Sequence, residues 1–391
     1  MSNPMKSGRI PPGETIGILG GGQLGRMTAV AARALGYHVH ALDPDPQCSI
    51  RPVVDRFLDA RFDEPDAAAY LARRCAVVTL EIEQVSLASL EAAAQHAPVR
   101  PGVELMRVVQ NRARQKGWLA ARGFPVGPWY EAVTEEAFVR LAPSLGPGAF
   151  AKICEGGYDG RGQARLKTAD ADGARVAWQA LGGKPCVIEQ ALDLEAELSV
   201  LVARSPSSEV RVFPLALNEH VAQVLDVSVT PAPVDPAIAA QAAELGREIA
   251  MALGLEGILA IELFLLKDGS LKVNELSPRP HNTFHATELA SPTSQFAQLI
   301  RAVCDLPLGV TEPVRPAAIA NLLGDLWLGP TPARIEAALE IPGVNLHLYG
   351  KRDARPGRKM GHLIATGDDP QDAMRRVREA RARIARSAGL I

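Results

Sequence analysis

The chain has no surplus of charge of either sign: 42 Lys+Arg stand against 44 Asp+Glu over 391 residues. That balance excludes a general electrostatic grip on nucleic acid or an acidic membrane, and leaves only a local basic pocket open. No uninterrupted apolar run approaches the length of a membrane span. The five cysteines (Cys48, Cys75, Cys154, Cys186, Cys304) are scattered, with no C-x-x-C and no His cluster at zinc spacing. Reduced thiols in a cytoplasm follow from that pattern, not a disulfide scaffold. Residues 1–13 are polar, carry three prolines and lack the apolar segment of a signal peptide, so a loose tail is expected there. No internal repeat is visible, and no low-complexity segment beyond one alanine-rich helix.

What the chain does have is rhythm. Its length calls for two or three compact units. From Thr15 the text alternates strand, turn and helix: an apolar strand at 15–19, the turn Gly20-Gly21-Gly22, a helix over 23–35, a strand at 38–42 and another at 76–80 that ends at Glu81 and Glu83. This βαβ alternation predicts a parallel sheet over 14–110, with ligands at the carboxyl ends of its strands. A second unit, 111–310, opens with a helix over 111–122. It continues through a strand ending at Lys152, a glycine-dense loop, a strand at 186–188, paired strands at 196–204 and 210–217, and the alanine-rich helix 235–253. Its first lobe is placed at 111–190 and its second at 191–310. A third unit, 311–391, closes with a basic helix over 372–386.

Near the end of the second unit, two β-type runs (258–266 and 271–276) flank Lys267-Asp268-Gly269-Ser270. Asp-Gly between such runs is a strong hairpin signal. Counting outward from Asp268-Gly269 sets Leu266 opposite Leu271, Phe264 opposite Val273 and Glu262 opposite Glu275. Opposed residues have Cβ atoms roughly 5 Å apart, where like charges repel. A magnesium ion held by two carboxylates and substrate phosphates would explain the pair. A register shifted by one residue, or a pair sharing one proton, would explain it without a metal. Ser277-Pro278-Arg279-Pro280-His281-Asn282 follows at once, and its anion-binding groups suit a reacting phosphate.

The segment from Lys152 to Gln163 carries four glycines, Gly156, Gly157, Gly160 and Gly162. Such a loop can fold its N–H groups around phosphates, with Lys152 as a point charge beside them. It is neither a Walker A loop nor a kinase loop, and a flexible hairpin connection is the bland alternative. Glu189-Gln190, after a buried strand, could meet an adenine edge, and Glu197 could reach ribose hydroxyls.

Four runs together resemble the ATP-grasp superfamily, and within it the 5-(carboxyamino)imidazole ribonucleotide synthases of purine biosynthesis. They are Gly20-Gly-Gly-Gln-Leu-Gly-Arg-Met27, Gly156-Gly-Tyr-Asp-Gly-Arg-Gly-Gln163, Asn274-Glu-Leu-Ser-Pro-Arg-Pro-His-Asn282 and Arg355-Pro-Gly-Arg-Lys-Met-Gly-His362. The second and fourth are the specific ones. The resemblance implies an α/β chain, α+β in its central part: an ATP-grasp architecture with a Rossmann-like parallel-sheet N-terminal domain and a small C-terminal α/β domain. It implies an ATP-dependent ligase joining 5-aminoimidazole ribonucleotide to bicarbonate, with two magnesium ions, in a cytoplasmic homodimer that binds neither nucleic acid nor membrane.

Carried over by position, the nucleotide set would be Arg112, Lys152, Gly157, Tyr158, Asp159, Gly160, Arg161, Gly162, Gln163, Glu189, Gln190, Ala191, Leu192, Glu197, His220, Asn274 and Glu275. The metal ligands would be Glu262 and Glu275. The ribonucleotide would meet Gln23, Leu24, Glu81 and Tyr158, and the reacting groups would meet at Arg279, His281, Asn282, Lys351 and Arg358. Lys152, Arg279, His281, Lys351 and Arg358 would carry the chemistry: carboxyphosphate forms, and the substrate amine attacks it or the carbon dioxide it releases.

Two places depart from the family pattern. Leu80-Glu-Ile-Glu-Gln84 stands where many relatives read Tyr-Glu-Phe-Glu-Asn, and Ser277 stands where the wider superfamily often has a metal-binding Asn. Three rival readings remain. Gly20-Gly21-Gly22-Gln23-Leu24-Gly25 with Asp43 about 20 residues on meets the dinucleotide fingerprint of an NAD-dependent oxidoreductase. A formate-using ribonucleotide ligase is the nearer rival, and a non-catalytic nucleotide-binding subunit the third. In place of a dinucleotide, the helix N-terminus after Gly22 could take the substrate's 5′-phosphate.

Overall fold

The computed structural model describes residues 8–157, 162–168 and 170–391. Three sheets organise them. The first is parallel, in the order β3-β2-β1-β4, from β1 (Thr15–Leu19), β2 (His38–Asp43), β3 (Arg56–Asp59) and β4 (Val77–Leu80). The helix Gln23–Ala34 starts at the carboxyl end of β1, and Glu81 follows the carboxyl end of its neighbour β4. β3 escapes a sequence reading because it is a four-residue edge strand with a charge at each end.

The second sheet is antiparallel, β5-β8-β6-β7, built from β5 (Trp129–Ala132), β6 (Phe150–Ile153), β7 (Gln163–Arg165) and β8 (Cys186–Glu189). Helices Glu135–Leu141 and Ala171–Ala180 close its core, where Phe138 meets Trp178 with ring centroids 5.5 Å apart. The lobe therefore has its own small core. Residues 190–193 cross from it into the third sheet.

That third sheet runs β14-β13-β9-β11-β12-β15-β17-β16, with β10 paired on β9. Its strands are β9 (Leu194–Arg204), β10 (Val210–Val212), β11 (Ala216–Val221), β12 (Val224–Thr230), β13 (Gly257–Leu266), β14 (Leu271–Ser277), β15 (Ala317–Leu323), β16 (Val344–Leu348) and β17 (Lys359–Thr366). The single strand expected over 210–217 is two, separated by a segment containing Pro214, which has no N–H to give a ladder. The unit expected from 311 onward adds no separate sheet: β15 pairs antiparallel with β12 and continues the same one. The last helix, Pro370–Ser387, packs on β15 and β17, and its Arg381 holds Asp226 with both nitrogens at 2.5 and 2.9 Å. Caps fall where the sequence offers them: Asn111 accepts from the Arg114 N–H, and Asp235 caps the alanine-rich helix Pro236–Ala252. No helix among the described residues is long and apolar enough to cross a membrane.

The loose tail expected over 1–13 is corrected for residues 8–13. Ile10 is buried, its N–H donates to the Cys304 carbonyl (2.9 Å), and its own carbonyl accepts from Tyr37 Oη (2.6 Å). An apolar side chain among prolines sufficed to dock the segment. Residues 1–7 lie outside the described residues.

A second tie joins the first unit to the second. The Arg100 side chain, only 7% exposed, pairs with Glu256 at 2.8 Å and donates to the Val303 carbonyl. Replacing it strands a buried carbonyl and removes a guanidinium already desolvated. Arg100→Ala is expected to cost on the order of 2–3 kcal/mol, read as a lower urea midpoint of unfolding.

Candidate active site

The hairpin β13–β14 carries the carboxylate pair, but not by the simple ladder. Near the turn the pairs are Leu265 with Leu271, Phe264 with Lys272 and Leu263 with Val273, one residue off the count from Asp268-Gly269. The turn spans three residues, with Gly269 at φ 83° and the Leu266 N–H on the Ser270 carbonyl (2.9 Å). A β-bulge between Glu262 and Leu263 then inserts Asn274 as an extra residue, and Glu262 returns to face Glu275. The bulge does more than restore register. Asn274 and Glu275 are consecutive yet both half-buried, flanked by buried Val273 and Leu276. Asn274 Nδ2 donates to Glu262 Oε2 (3.1 Å), so three side chains meet on one face.

Each carboxylate there has a cationic or polar partner. Arg112 Nη1 holds Glu275 Oε2 at 2.8 Å, and His281 Nε2 lies 3.3 Å from Glu262 Oε1. Burial alone would raise the Glu262 carboxyl; the hydrogen bond and charge of His281, with His220 and Lys152, outweigh it and hold the group low. Arg112 is likewise buried, which works to lower it, but Glu275, Glu189 and Glu262 keep it raised.

Beside this pair lies a second charge network. Glu189 receives Lys152 Nζ at 2.7 Å and Lys116 Nζ at 3.0 Å, all three nearly buried. Lys152 also reaches Asn274 Oδ1 at 3.4 Å, which links the two networks. Burial would raise Glu189, yet the two lysines hold it down at about 2. Burial lowers Lys116 in spite of Glu189. The sequence reading missed Lys116. Its signal was the four-residue step from Arg112, which sets both cations on one helix face.

A cleft of about 1280 Å³ opens here, lined by Gln23, Leu24, Glu81, Arg112, Gly157, Glu262, Glu275, Arg279, His281, Asn282, Lys351 and Arg358 among others. Residues from all three sequence units thus meet in one space. Glu197 and His220 sit on neighbouring strands, with Nδ1 3.1 Å from the carboxylate; burial works to lower His220, but Glu197 and Glu262 raise it. Gln163 pairs with Lys152 across β6–β7, and its side chain meets Gln223. Gly162 follows the loop at φ 72°. Gln190, Ala191 and Leu192 form the crossing between the second and third sheets, with the Gln190 N–H on the Pro128 carbonyl (3.0 Å). Tyr158, Asp159, Gly160 and Arg161 lie outside the described residues.

Arg279 is held by Glu83 at 2.7 Å; burial works to lower it, and Glu83, Glu81 and Glu275 together raise it. Glu83 is therefore part of the site, though the sequence reading gave it no role. Lys351 Nζ donates to Gln23 Oε1 (2.9 Å) and to the Lys359 carbonyl (2.8 Å), tying the last unit to the first. Arg358 donates to the Asp353 carbonyl (2.8 Å). Asn282 is fixed by His285 Nε2 at 3.0 Å.

Around the helix N-terminus after Gly22, three backbone N–H groups are already taken by carboxylates. Glu81 accepts from the Gly22 and Gly25 N–H groups, and Asp43 accepts from Gly21 (2.6 Å). A Cβ at Gly22 would come within 2.5 Å of Glu81 Oε1, which is why glycine stands there. Burial raises the Glu81 carboxyl, with the Gly25 and Gly22 N–H groups opposing.

Comparison with known proteins agrees along the chain. Three family models match: a ribonucleotide synthetase preATP-grasp domain over residues 13–110, an ATP-grasp domain over 118–296, and a phosphoribosylaminoimidazole carboxylase C-terminal domain over 317–376. The chain is 39% identical to an N5-carboxyaminoimidazole ribonucleotide synthase of Brucella melitensis, across 90% of this chain and 96% of that one. It is 39% identical to one of Bacillus subtilis, across 90% and 92%. The crystal structure of the Staphylococcus aureus synthetase complexed with ADP superposes with TM-score 0.89 at 31% identity, covering 98% of this chain and all of that one (100%). An Aspergillus clavatus synthase in complex with ADP and 5-aminoimidazole ribonucleotide gives TM-score 0.86 at 31% identity, covering 95% and 99%.

The Glu189 network yields a test of its own. Glu189→Gln leaves two buried ammonium groups without their counter-charge and is expected to cost on the order of 3 kcal/mol at neutral pH. A carboxyl depressed from 4.5 to about 2 stabilises the fold fully above 4.5 and loses that contribution as pH falls through about 2. The stability gap between wild type and variant, measured by urea titration, should therefore narrow below pH 4.5.

Proposed function

The chain belongs to the N5-carboxyaminoimidazole ribonucleotide synthases, and on that premise we propose that ATP, bicarbonate and the ribonucleotide meet in the cleft between Glu262, Glu275, Arg279 and Lys351. The enzyme is an ATP-dependent carbon–nitrogen ligase of purine biosynthesis. It carboxylates 5-aminoimidazole ribonucleotide to the 5-(carboxyamino) product and releases ADP and phosphate.

The observation that carries the site is Glu262 facing Glu275 with Asn274 beside them, in a cleft otherwise rich in cations. Two carboxylates and an amide oxygen are a donor set for a hard divalent ion, so Glu262 and Glu275 would hold magnesium and Asn274 would support it. When bound, magnesium offsets charge on the nucleotide phosphates. Lys152 and Arg112, now held by Glu189 and Glu275, supply cations at the same place. Residues 157–163, Gln190 to Leu192, Glu197 and His220 make up the rest of the nucleotide site.

Bicarbonate is a poor electrophile, because charge shields its carbon and hydroxide leaves badly. Its oxygen attacks the γ-phosphorus, the bond to ADP breaks, and carboxyphosphate forms. The exocyclic amine then makes the new C–N bond, either on carboxyphosphate or on the carbon dioxide it releases, as phosphate departs and the amine gives up a proton. Arg279 and Lys351 hold the anionic intermediate; Gln23, Leu24, Glu81, Asn282 and Arg358 orient the ribonucleotide. We assign the proton acceptor to His281 in its neutral form. With Nε2 turned to Glu262, its Nδ1 is buried and has no hydrogen-bond partner among the described residues. A cytoplasmic homodimer belongs to the same reading and rests on the resemblance to the family.

The test is ADP release with 5-aminoimidazole ribonucleotide and bicarbonate, each omitted in turn. Release should need both, stop on chelation of magnesium, and fall at least about a thousandfold in Glu275→Gln, whose fold should survive. Release indifferent to the ribonucleotide would overturn the substrate assignment, and near-normal turnover of Glu275→Gln the metal site.

A further inference from the structure

Outside the ATP cleft, Glu288, His347 and His362 bring one donor atom each to within 4.8 Å of the others. Glu288 lies on the short helix Thr287–Ala290, while His347 on β16 is paired directly opposite His362 on β17. The sequence separations, 59 and 15 residues, match no metal-binding spacing, so only the fold assembles the group.

Two donors in it are unsatisfied. His362 is fully buried; its Nδ1 meets Tyr349 Oη at 2.8 Å, and its Nε2 has no hydrogen-bond partner among the described residues. Glu288 Oε2 is buried and equally without a hydrogen-bond partner among the described residues, with His347 Nδ1 at 3.7 Å, too far for a hydrogen bond. Buried polar atoms ordinarily have a hydrogen-bond partner, so two left without one in the same cluster call for an explanation. We propose that Glu288, His347 and His362 form a binding site for one zinc-class divalent transition ion, distinct from the magnesium site of the ATP cleft.

The donor set decides the class of ion. Two imidazoles and one carboxylate suit a borderline-soft ion of tetrahedral habit, with water as fourth ligand, and not magnesium, which prefers oxygen. Burial drives His362 well below the usual histidine range, so its ring is neutral with a lone pair to give. Burial also lifts the Glu288 carboxyl to about 7, the direction an adjacent cation would reverse. Tyr349 supplies the outer hydrogen bond that fixes which His362 nitrogen faces the ion.

One rearrangement is required. The rings of His347 and His362 lie nearly parallel, 4° apart with centroids 4.6 Å apart, and a metal–nitrogen bond lies in its ring plane. His347, on the edge strand and 34% exposed, is the ring free to turn about χ2. On its other face His362 stacks on His285, which holds Asn282 of the cleft; an ion here would brace that segment from behind.

The experiment uses the full chain dialysed against Zn2+, or Co2+ as a spectroscopic probe, with excess Mg2+ present to fill the Glu262–Glu275 pair. One equivalent of zinc should survive desalting by elemental analysis, and the cobalt form should show the intense visible bands of four-coordination. His347→Asn, at a part-exposed edge position, and Glu288→Gln should each weaken retention at least about tenfold; Tyr349→Phe should weaken it by about tenfold through the lost outer hydrogen bond. Circular dichroism confirms that each variant is folded. No zinc retained by wild type would mean that water alone satisfies these atoms and overturns the site. So would equal retention by His347→Asn, or loss in Glu275→Gln alone, which would put the ion in the ATP cleft.

Discussion

Glu262 and Glu275 stand opposite each other on antiparallel strands, and two negative charges at about 5 Å repel by roughly 3 kcal/mol at an effective dielectric near 20. A sheet tolerates that only where something nearby opposes it. Here Arg112 takes one carboxylate and His281 Nε2 meets the other, and both contacts oppose the repulsion. Both carboxylates thus have partners in the protein, through contacts that a divalent ion could replace. The bulge at Asn274 makes this geometry possible, because an unbroken ladder through the turn register would leave one acid on the wrong face.

The same pattern of matched charge repeats around the cleft. Glu189 binds Lys152 and Lys116, Glu83 binds Arg279, and Glu81 binds backbone N–H groups. Lys152, Arg112 and Arg279 are each already positioned by a carboxylate, while Lys351 and Arg358 are held by amide and backbone carbonyl oxygens. Nucleotide phosphates would exchange one anionic partner for another, with no need to order a loose side chain, so little positioning entropy is lost on binding. The cleft draws on all three sequence units, and the Lys351–Gln23 contact spans 328 residues. Continuity of the third sheet across residue 311 keeps that long-range contact in register.

Much of this was legible in the sequence, because the signals were local. Strand–turn–helix alternation gave the parallel sheet, and Asp-Gly gave the hairpin. Asp235 and Asn111 marked helix starts within a residue. What stayed hidden depends on contacts between distant segments. The bulge could not be read, since a three-residue turn and a bulge cancel at Glu262 and leave the same pairing that a simple ladder predicts. Lys116 looked like an ordinary helix lysine until Glu189, 73 residues on, came beside it. The docking of residues 8–13 rests on Ile10 meeting Cys304 and Tyr37, which no local pattern announces.

The dinucleotide fingerprint shows how a correct local reading can mislead about ligand. Gly20 to Gly25 do form the tight turn into a helix that the motif requires, and Asp43 does end the next strand. In a dinucleotide site the turn's N–H groups would face pyrophosphate and the acid would face a ribose. Here the acid turns inward: Asp43 is 8% exposed and binds the Gly21 and Asp45 N–H groups. Glu81 accepts from the Gly22 and Gly25 N–H groups, on either side of Gln23 and Leu24 at the helix start. A pyrophosphate would have to displace a buried carboxylate and bring further negative charge against Asp43. The glycines have a different use here, since Gly20 and Gly22 leave room for Glu81 and Gly25 leaves room for the Gly20 carbonyl. Glu81 then stands at the cleft wall beside Gln23 and Leu24, a fixed acceptor suited to hydroxyl groups and not to a phosphate, and the cations that would meet a phosphate come from residues 351–358 instead.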